Sequence, residues 1–250
     1  MIKIFKNFII FGYGFSGLVC AFFIAWILML KLNFLYPSFY SLLEIDKTIN
    51  QFSPQNHYKK GFEFTSHEQR LLIFSEIVKS VHDDGIGLAQ IHYSYINNKN
   101  KEQNTLFLHQ AEVIHLQDVA LLINLLMKLA IGFIVIWLLF IFGFIYQKKP
   151  LPDFKSQLIL ISTFLLSCVL VVLALGAKNV FYWLHTVIFP ADNQWFFYYQ
   201  DSLMTTLMKA PDLFAPISIV LLILAMVVFI LIQWLTLKLS YFIHRDFKLN

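Results

Sequence analysis

Four long apolar stretches set the terms for this chain. The first, Phe8 to Leu30, runs for 23 residues without a charge. At about 1.5 Å per residue, a helix of that length crosses the roughly 30 Å hydrocarbon core of a bilayer. Comparable runs extend from about Val119 to Tyr146, from Ser156 to Ala177, and from Leu213 or Pro216 to Leu237. Composition agrees: 58% of the residues are hydrophobic and 14% charged, with 27 Phe among 250, against about 45 to 50% apolar and about 25% charged in an ordinary soluble domain. The expected fold is an all-α integral membrane protein with four transmembrane helices, at 8–30, 119–146, 156–177 and 213–237. A large extracytoplasmic first loop, 31–118, contains at least one helix, and a second extracytoplasmic loop covers 178–212.

Two details bear on the first run. A secretory signal would have an apolar segment of only about 7 to 15 residues followed by an A-x-A-like site, and neither fits here. Gly17-Leu18-Val19-Cys20 ends in cysteine as a lipoprotein signal does, but Val19 stands where a small residue is usual. The run therefore reads as an uncleaved membrane helix. Both cysteines, Cys20 and Cys168, fall inside apolar runs and say nothing about redox compartment.

Charge supplies the orientation. The excess of 19 Lys and Arg over 15 Asp and Glu collects at Lys3 and Lys6, at Lys148, Lys149 and Lys155, and at Lys238, Arg245 and Lys248. By the positive-inside rule these flanks are cytoplasmic. Both termini then lie inside, and the two long connections lie outside. This distribution is a topology signal and makes no case for nucleic acid. Within the outer loop, Ser66 is placed to cap the amide of Gln69 while Gln69 reaches back. Ile73, Ile77 and Val81 follow at helical spacing, with Leu72, Phe74 and Val78 flanking, and Asp83-Asp84-Gly85 ends the helix. Asn97 to Gln103 reads as an exposed turn or short loop, and the chain turns helical again from Leu106. Asn124 and Lys128, four apart, share one face of the second span.

Candidate chemistry gathers at the outer edge of the membrane. On a helix, residues three apart share a face, which aligns Glu112, His115 and Asp118 at the entry to the second span. His185 follows the third span at the same depth, with Asp192 and Trp195 downstream. The other histidines, His57, His67, His82, His92, His109 and His244, read as surface or packing residues. Zinc held by the two histidines with Glu112, Asp118 or Asp192 is conceivable, but no H-E-x-x-H or C-x-x-C pattern supports a metal. Bis-histidine haem ligation would need histidines inside the spans, which contain none. No G-x-S-x-G marks a serine nucleophile.

A family resemblance joins these positions. Glu112-x-x-His115-x-x-Asp118-Val119, Leu184-His185-x-x-Ile188-Phe189, Asp192-Asn193-x-Trp195-x-Phe197, Asp201-Ser202-Leu203 and Pro211-x-x-Phe214 together resemble the lipoprotein intramolecular transacylase family. The chain departs from the family's pattern at Ala120, where many relatives have a basic residue. The resemblance implies a four-span acyltransferase of a bacterial cytoplasmic (inner) membrane that acts on diacylglyceryl-modified lipoproteins among membrane lipid. The sn-2 ester chain would move to the amine of the amino-terminal cysteine and leave a lyso-form lipoprotein. It also implies that His115 and His185 are catalytic and that no cofactor is needed. Glu112, Asp118, Asp192 and Trp195 would support them, and either histidine could serve as base. The competing readings are a non-enzymatic sensor or partner-binding protein acting through its outer loop, and a metal-dependent lipid hydrolase. A transporter fits less well, since the spans show no inverted repeat.

Overall fold

The computed structural model describes residues 2–97 and 99–249, with side chains for 7–97 and 99–242. The side chains of Lys3, Lys6, His244, Arg245 and Lys248, most of which carry the orientation argument, lie outside the described residues. In chain order the elements are α1 (Ile2–Lys31), α2 (Tyr36–Leu42), α3 (Ile45–Phe52), α4 (His67–Val81), β1 (His92–Ile96), β2 (Glu102–Leu106), α5 (Gln110–Tyr146), α6 (Phe154–Leu175), α7 (Ala177–Ile188), α8 (Leu203–Met208) and α9 (Phe214–Leu249). Among the described residues, four helical segments are long and apolar enough to cross a membrane: Asn7–Lys31, Gln110–Tyr146, Phe154–Leu175 and Phe214–Phe242. The third long helix, Phe154–Leu175, starts and ends two residues before the expected 156–177; Gly176, at φ +82°, is its C-cap. The chain then restarts as α7 inside what the sequence suggested was a loop.

The chain divides into two compact units. The first comprises Met1–Leu28, Met127–Tyr182 and Leu221–Asn250. Its core joins Leu18 and Ala21 of α1, Ile161 of α6, and Val228 and Phe229 of α9, with a second cluster of Tyr13, Cys20, Trp137 and Leu151. In lipid the hydrophobic effect cannot drive helices together, so close backbone approach through small residues does much of that work. Gly17, Ala21 and Ala25 form such a stripe on α1, and both alanines are fully buried. A Cβ on Gly17 would come within 2.7 Å of Gln233 Nε2 and 2.9 Å of Trp137 Nε1.

The second unit comprises Met29–Leu126 and Trp183–Val220. Here α4 starts as the sequence suggests, with Ser66 Oγ accepting from the Gln69 amide at 3.1 Å. The Gln69 side chain goes elsewhere, however: its amide pairs with the Ser94 N–H and C=O of β1, 3.0 Å each way. Ile73, Phe74, Ile77, Val78 and Val81 are buried, while Leu72 faces out. Gly85, at φ +77°, closes the helix by donating to Ser80 O at 2.9 Å. The expected all-α class needs one amendment, because β1 and β2 form an antiparallel hairpin. Glu102 and Gln103, expected in the exposed loop, therefore belong to a strand. Asn124 donates to Asp84 in the loop after α4.

Tyr93 anchors the hairpin, fully buried against Phe62 and Phe107. The buried guanidinium of Arg70 ties α4 to the neighbouring segments, donating to Asp46 Oδ1 (2.5 Å), Glu63 O (2.8 Å), Thr65 Oγ1 (2.9 Å) and Tyr40 Oη (3.1 Å). Gly61 takes φ +84° directly beneath the Tyr95 ring, where a Cβ would lie 2.3 to 2.4 Å from three ring atoms. Gly61→Ala adds backbone strain to that overlap and should lower stability by roughly 2 kcal/mol or more, read as a fall in Tm of the purified protein. Unchanged melting would contradict this packing.

Candidate active site

The first turn of α5 is held by a buried carboxylate. His109 precedes the helix and Glu112 stands at its third position, the spacing of a capping box with histidine in the place of serine. Glu112 Oε2 accepts the His109 N–H at 2.7 Å, and His109 Nδ1 accepts the Ala111 N–H at 3.2 Å. The other oxygen reaches far along the chain: Glu112 Oε1 accepts from Ser202 Oγ at 2.5 Å and from the Met204 N–H at 3.1 Å. Ser202 in turn caps α8 by accepting from the Thr205 N–H at 2.8 Å. Glu112 is fully buried, and these donors replace the water that a buried charge would otherwise lose.

Two turns later Asp118 makes the second tie, with Oδ2 accepting from Asn193 Nδ2 at 2.7 Å. The segment that follows α7 is thus pinned to α5 at Asn193 and again at Ser202. His115 stands between the two ties on the same helical face. Its ring centre lies 5.1 Å from that of Phe189, 6.0 Å from Phe197 and 6.4 Å from His185. His185, on α7, packs on Phe189 at 5.2 Å and on Trp195 at 5.0 Å. His115 Nδ1 is buried and has no hydrogen-bond partner among the described residues.

The spacing argument therefore brings Glu112, His115 and Asp118 to one place with His185 and Trp195. The carboxylates are engaged differently from the simplest expectation. Both are bonded to groups other than His115, whose orientation comes from its own helix and from the rings around it. Asp192 is exposed in the turn, and its neighbour Asn193 makes the tie. Sequence reasoning passed over His109, whose ring lies 5.7 Å from Phe197 and 5.0 Å from Tyr58. The His109-x-x-Glu112 capping pattern was the available signal. Among the described residues no cluster of three or more His, Cys, Asp or Glu is arranged to hold a metal ion.

Residues 13–211 match the family model described as "Lipoprotein intramolecular transacylase Lit". The chain belongs to this family. It is accordingly an acyltransferase embedded in a membrane. Two solved structures of the membrane integral lipoprotein intramolecular transacylase Lit from Bacillus cereus, with one histidine changed to arginine in one and to alanine in the other, share the fold at 13% sequence identity. Their TM-scores are 0.67 and 0.66; the matches cover 99% and 100% of this chain and 96% and 98% of theirs. No curated protein sequence matches the chain.

Two outcomes follow for this member of the transacylase family. Glu112→Ala strands the buried donors of His109, Ser202 and Met204, and should cost about 3 kcal/mol of stability by thermal unfolding. A loss below roughly 0.5 kcal/mol would refute the capping role. Asn193→Asp sets a carboxylate against Asp118 and should reduce transacylase turnover roughly tenfold. Adding Asp118→Asn should restore most of that turnover, whereas two independent losses would dissociate the tie from activity.

Proposed function

We propose that this enzyme transfers the sn-2 ester acyl chain of a diacylglyceryl-modified lipoprotein to the amine of the lipoprotein's amino-terminal cysteine, using His115 and His185. The observation that carries this reading is the meeting of two histidines from different helices within an aromatic wall, one of them with a buried, unpartnered nitrogen.

The chemistry follows from the substrate. An α-amine has a reference pKa near 8, so much of it is protonated and unreactive at neutral pH. His115 accepts a proton from the amine as its nitrogen attacks the ester carbonyl. His185 polarises that carbonyl or delivers a proton to the departing glycerol oxygen. One C–N bond forms, one C–O bond breaks, and the proton lost by nitrogen is balanced by the one gained at the sn-2 oxygen. The products are an amide on cysteine and a free hydroxyl on the glycerol. Because amine and ester belong to one molecule, holding them in a reactive geometry supplies much of the acceleration; effective molarities reach on the order of 10⁵ M.

Phe189, Trp195 and Phe197 suit an acylated substrate, offering apolar surface against which the acyl chain and reacting carbons shed water. In the membrane, the basic flanks favour cytoplasmic termini and a site facing the outer leaflet, where lipoprotein acyl chains lie. Supporting roles fall to Glu112 and Asp118, which hold the segment after α7 in place, and to Trp195, which packs on the His185 ring. Asp192 would act through its position beside Asn193.

His115→Ala and His185→Ala should each lower the yield of lyso-form lipoprotein by about 10² to 10⁴-fold, the usual worth of acid–base catalysis, while the folded protein still accumulates in the membrane. Mass spectrometry of lipoprotein amino termini reads the result directly. Undiminished lyso-form product from either variant removes that histidine from the chemistry.

A further inference from the structure

The hairpin that precedes the active-site helix has one edge covered at its centre and one open edge. Ladder bonds alternate in an antiparallel pair. Beyond the strand ends, Phe107 N–H donates to Ile91 O at 2.8 Å and Asn97 N–H to Lys101 O at 3.0 Å. With the register Tyr93 to Thr105 and Tyr95 to Gln103, those pairs exchange the inward bonds. The backbone groups of His92, Ser94 and Ile96 on β1, and of Glu102, Asn104 and Leu106 on β2, therefore point away from the hairpin. On β1 the central outward position is taken, because the Gln69 amide pairs with both the N–H and the C=O of Ser94. On β2 the outward residues are all exposed. The sheet has no third strand among the described residues. Glu102 O accepts from Gln103 Nε2 at 3.1 Å, which leaves Asn104 and Leu106 to offer a donor and acceptor pair each.

This edge is continuous with the active site. Three residues beyond Leu106 comes His109, the cap of α5, and its ring packs on Phe197, which also packs on His115. A chain laid along β2 would have one end directed at the first turn of α5. The substrate class supplies such a chain. Beyond the cysteine that carries the reacting amine and ester, a lipoprotein continues as polypeptide whose sequence differs from one lipoprotein to another. An added strand binds through main-chain hydrogen bonds and leaves side-chain identity unread.

We propose that the open edge of β2, at Asn104 and Leu106, docks the peptide following the lipid-modified cysteine of the substrate as an added antiparallel or parallel strand. The inference rests on the transacylase reading above and extends it from the reacting groups to the rest of the substrate.

The test uses the full-length enzyme in lipid nanodiscs with two synthetic substrates, a diacylglyceryl lipodipeptide and a lipohexapeptide. The hexapeptide should show the lower KM at similar kcat. Backbone N-methylation scanned along the hexapeptide should raise KM roughly two- to tenfold at alternate residues, with little effect between them. The protein is unaltered in that scan, so folding does not confound it. Asn104→Pro, on an edge that tolerates proline, should raise KM for the hexapeptide and leave the dipeptide unchanged. Equal KM for both lengths, or a scan without two-residue periodicity, overturns the docking edge while turnover of the dipeptide upholds the transacylase reading. No turnover of either substrate overturns that reading and the docking with it. A dimer that dissociates in Asn104→Pro, with hexapeptide KM unchanged, would assign the edge to a second copy and overturn the proposal.

Discussion

The carboxylate of Glu112 is the interaction on which the local architecture of the site depends. A fully buried acidic side chain is costly unless its oxygens are satisfied, and this one has three donors drawn from two places in the sequence: the cap of its own helix, and the Ser202 to Met204 turn that begins α8. Removing any one side of this arrangement leaves the others buried without a partner, so the arrangement tends to form as a whole. Its consequence is positional. Once Glu112 is held, the next turn of α5 presents His115 to the segment that follows α7. Asp118, bonded to Asn193, fixes the other end of that segment.

What the sequence made legible was periodic or local. Residues three apart on a helix face one way, and Glu112, His115 and Asp118 do engage one common segment. A serine before an apolar stripe caps a helix, and Ser66 does so. Length and apolarity marked four helices that can cross a membrane. The illegible features depend on distant partners or on short competing signals. Ser202 is 90 residues from Glu112, and Asn193 is 75 from Asp118, separations at which spacing carries no information. The hairpin was hidden because each strand is only five residues long, and β2, Glu-Gln-Asn-Thr-Leu, is as polar as a loop. Gln69 illustrates the same limit: its local option was to close a capping box, but the backbone of Ser94 offers it two bonds. The end of α6 was obscured by apolarity continuing past Gly176, whose positive φ, open to glycine without strain, ends the helix regardless of hydropathy.

The division of labour among acidic and aromatic residues also explains how two histidines can be positioned without a carboxylate bonded to His115. In many acid–base sites a carboxylate orients the imidazole by accepting from one ring nitrogen. Here the nearby carboxylates are bonded to other groups, Glu112 to His109, Ser202 and Met204 and Asp118 to Asn193, and the rings of Phe189 and Phe197 flank His115 while Phe189 and Trp195 flank His185. Orientation by packing leaves ring nitrogens available to a substrate, as the unpartnered Nδ1 of His115 illustrates. For a transfer within one molecule, binding and chemistry then ask for the same thing. On the mechanism we propose, the rings that fix two imidazoles also confine the amine and ester that must meet. Rigid placement on helices, secured by Glu112 and Asp118, matters more to such a reaction than additional polar groups, because an error of about 1 Å in approach can cost on the order of a hundredfold in rate.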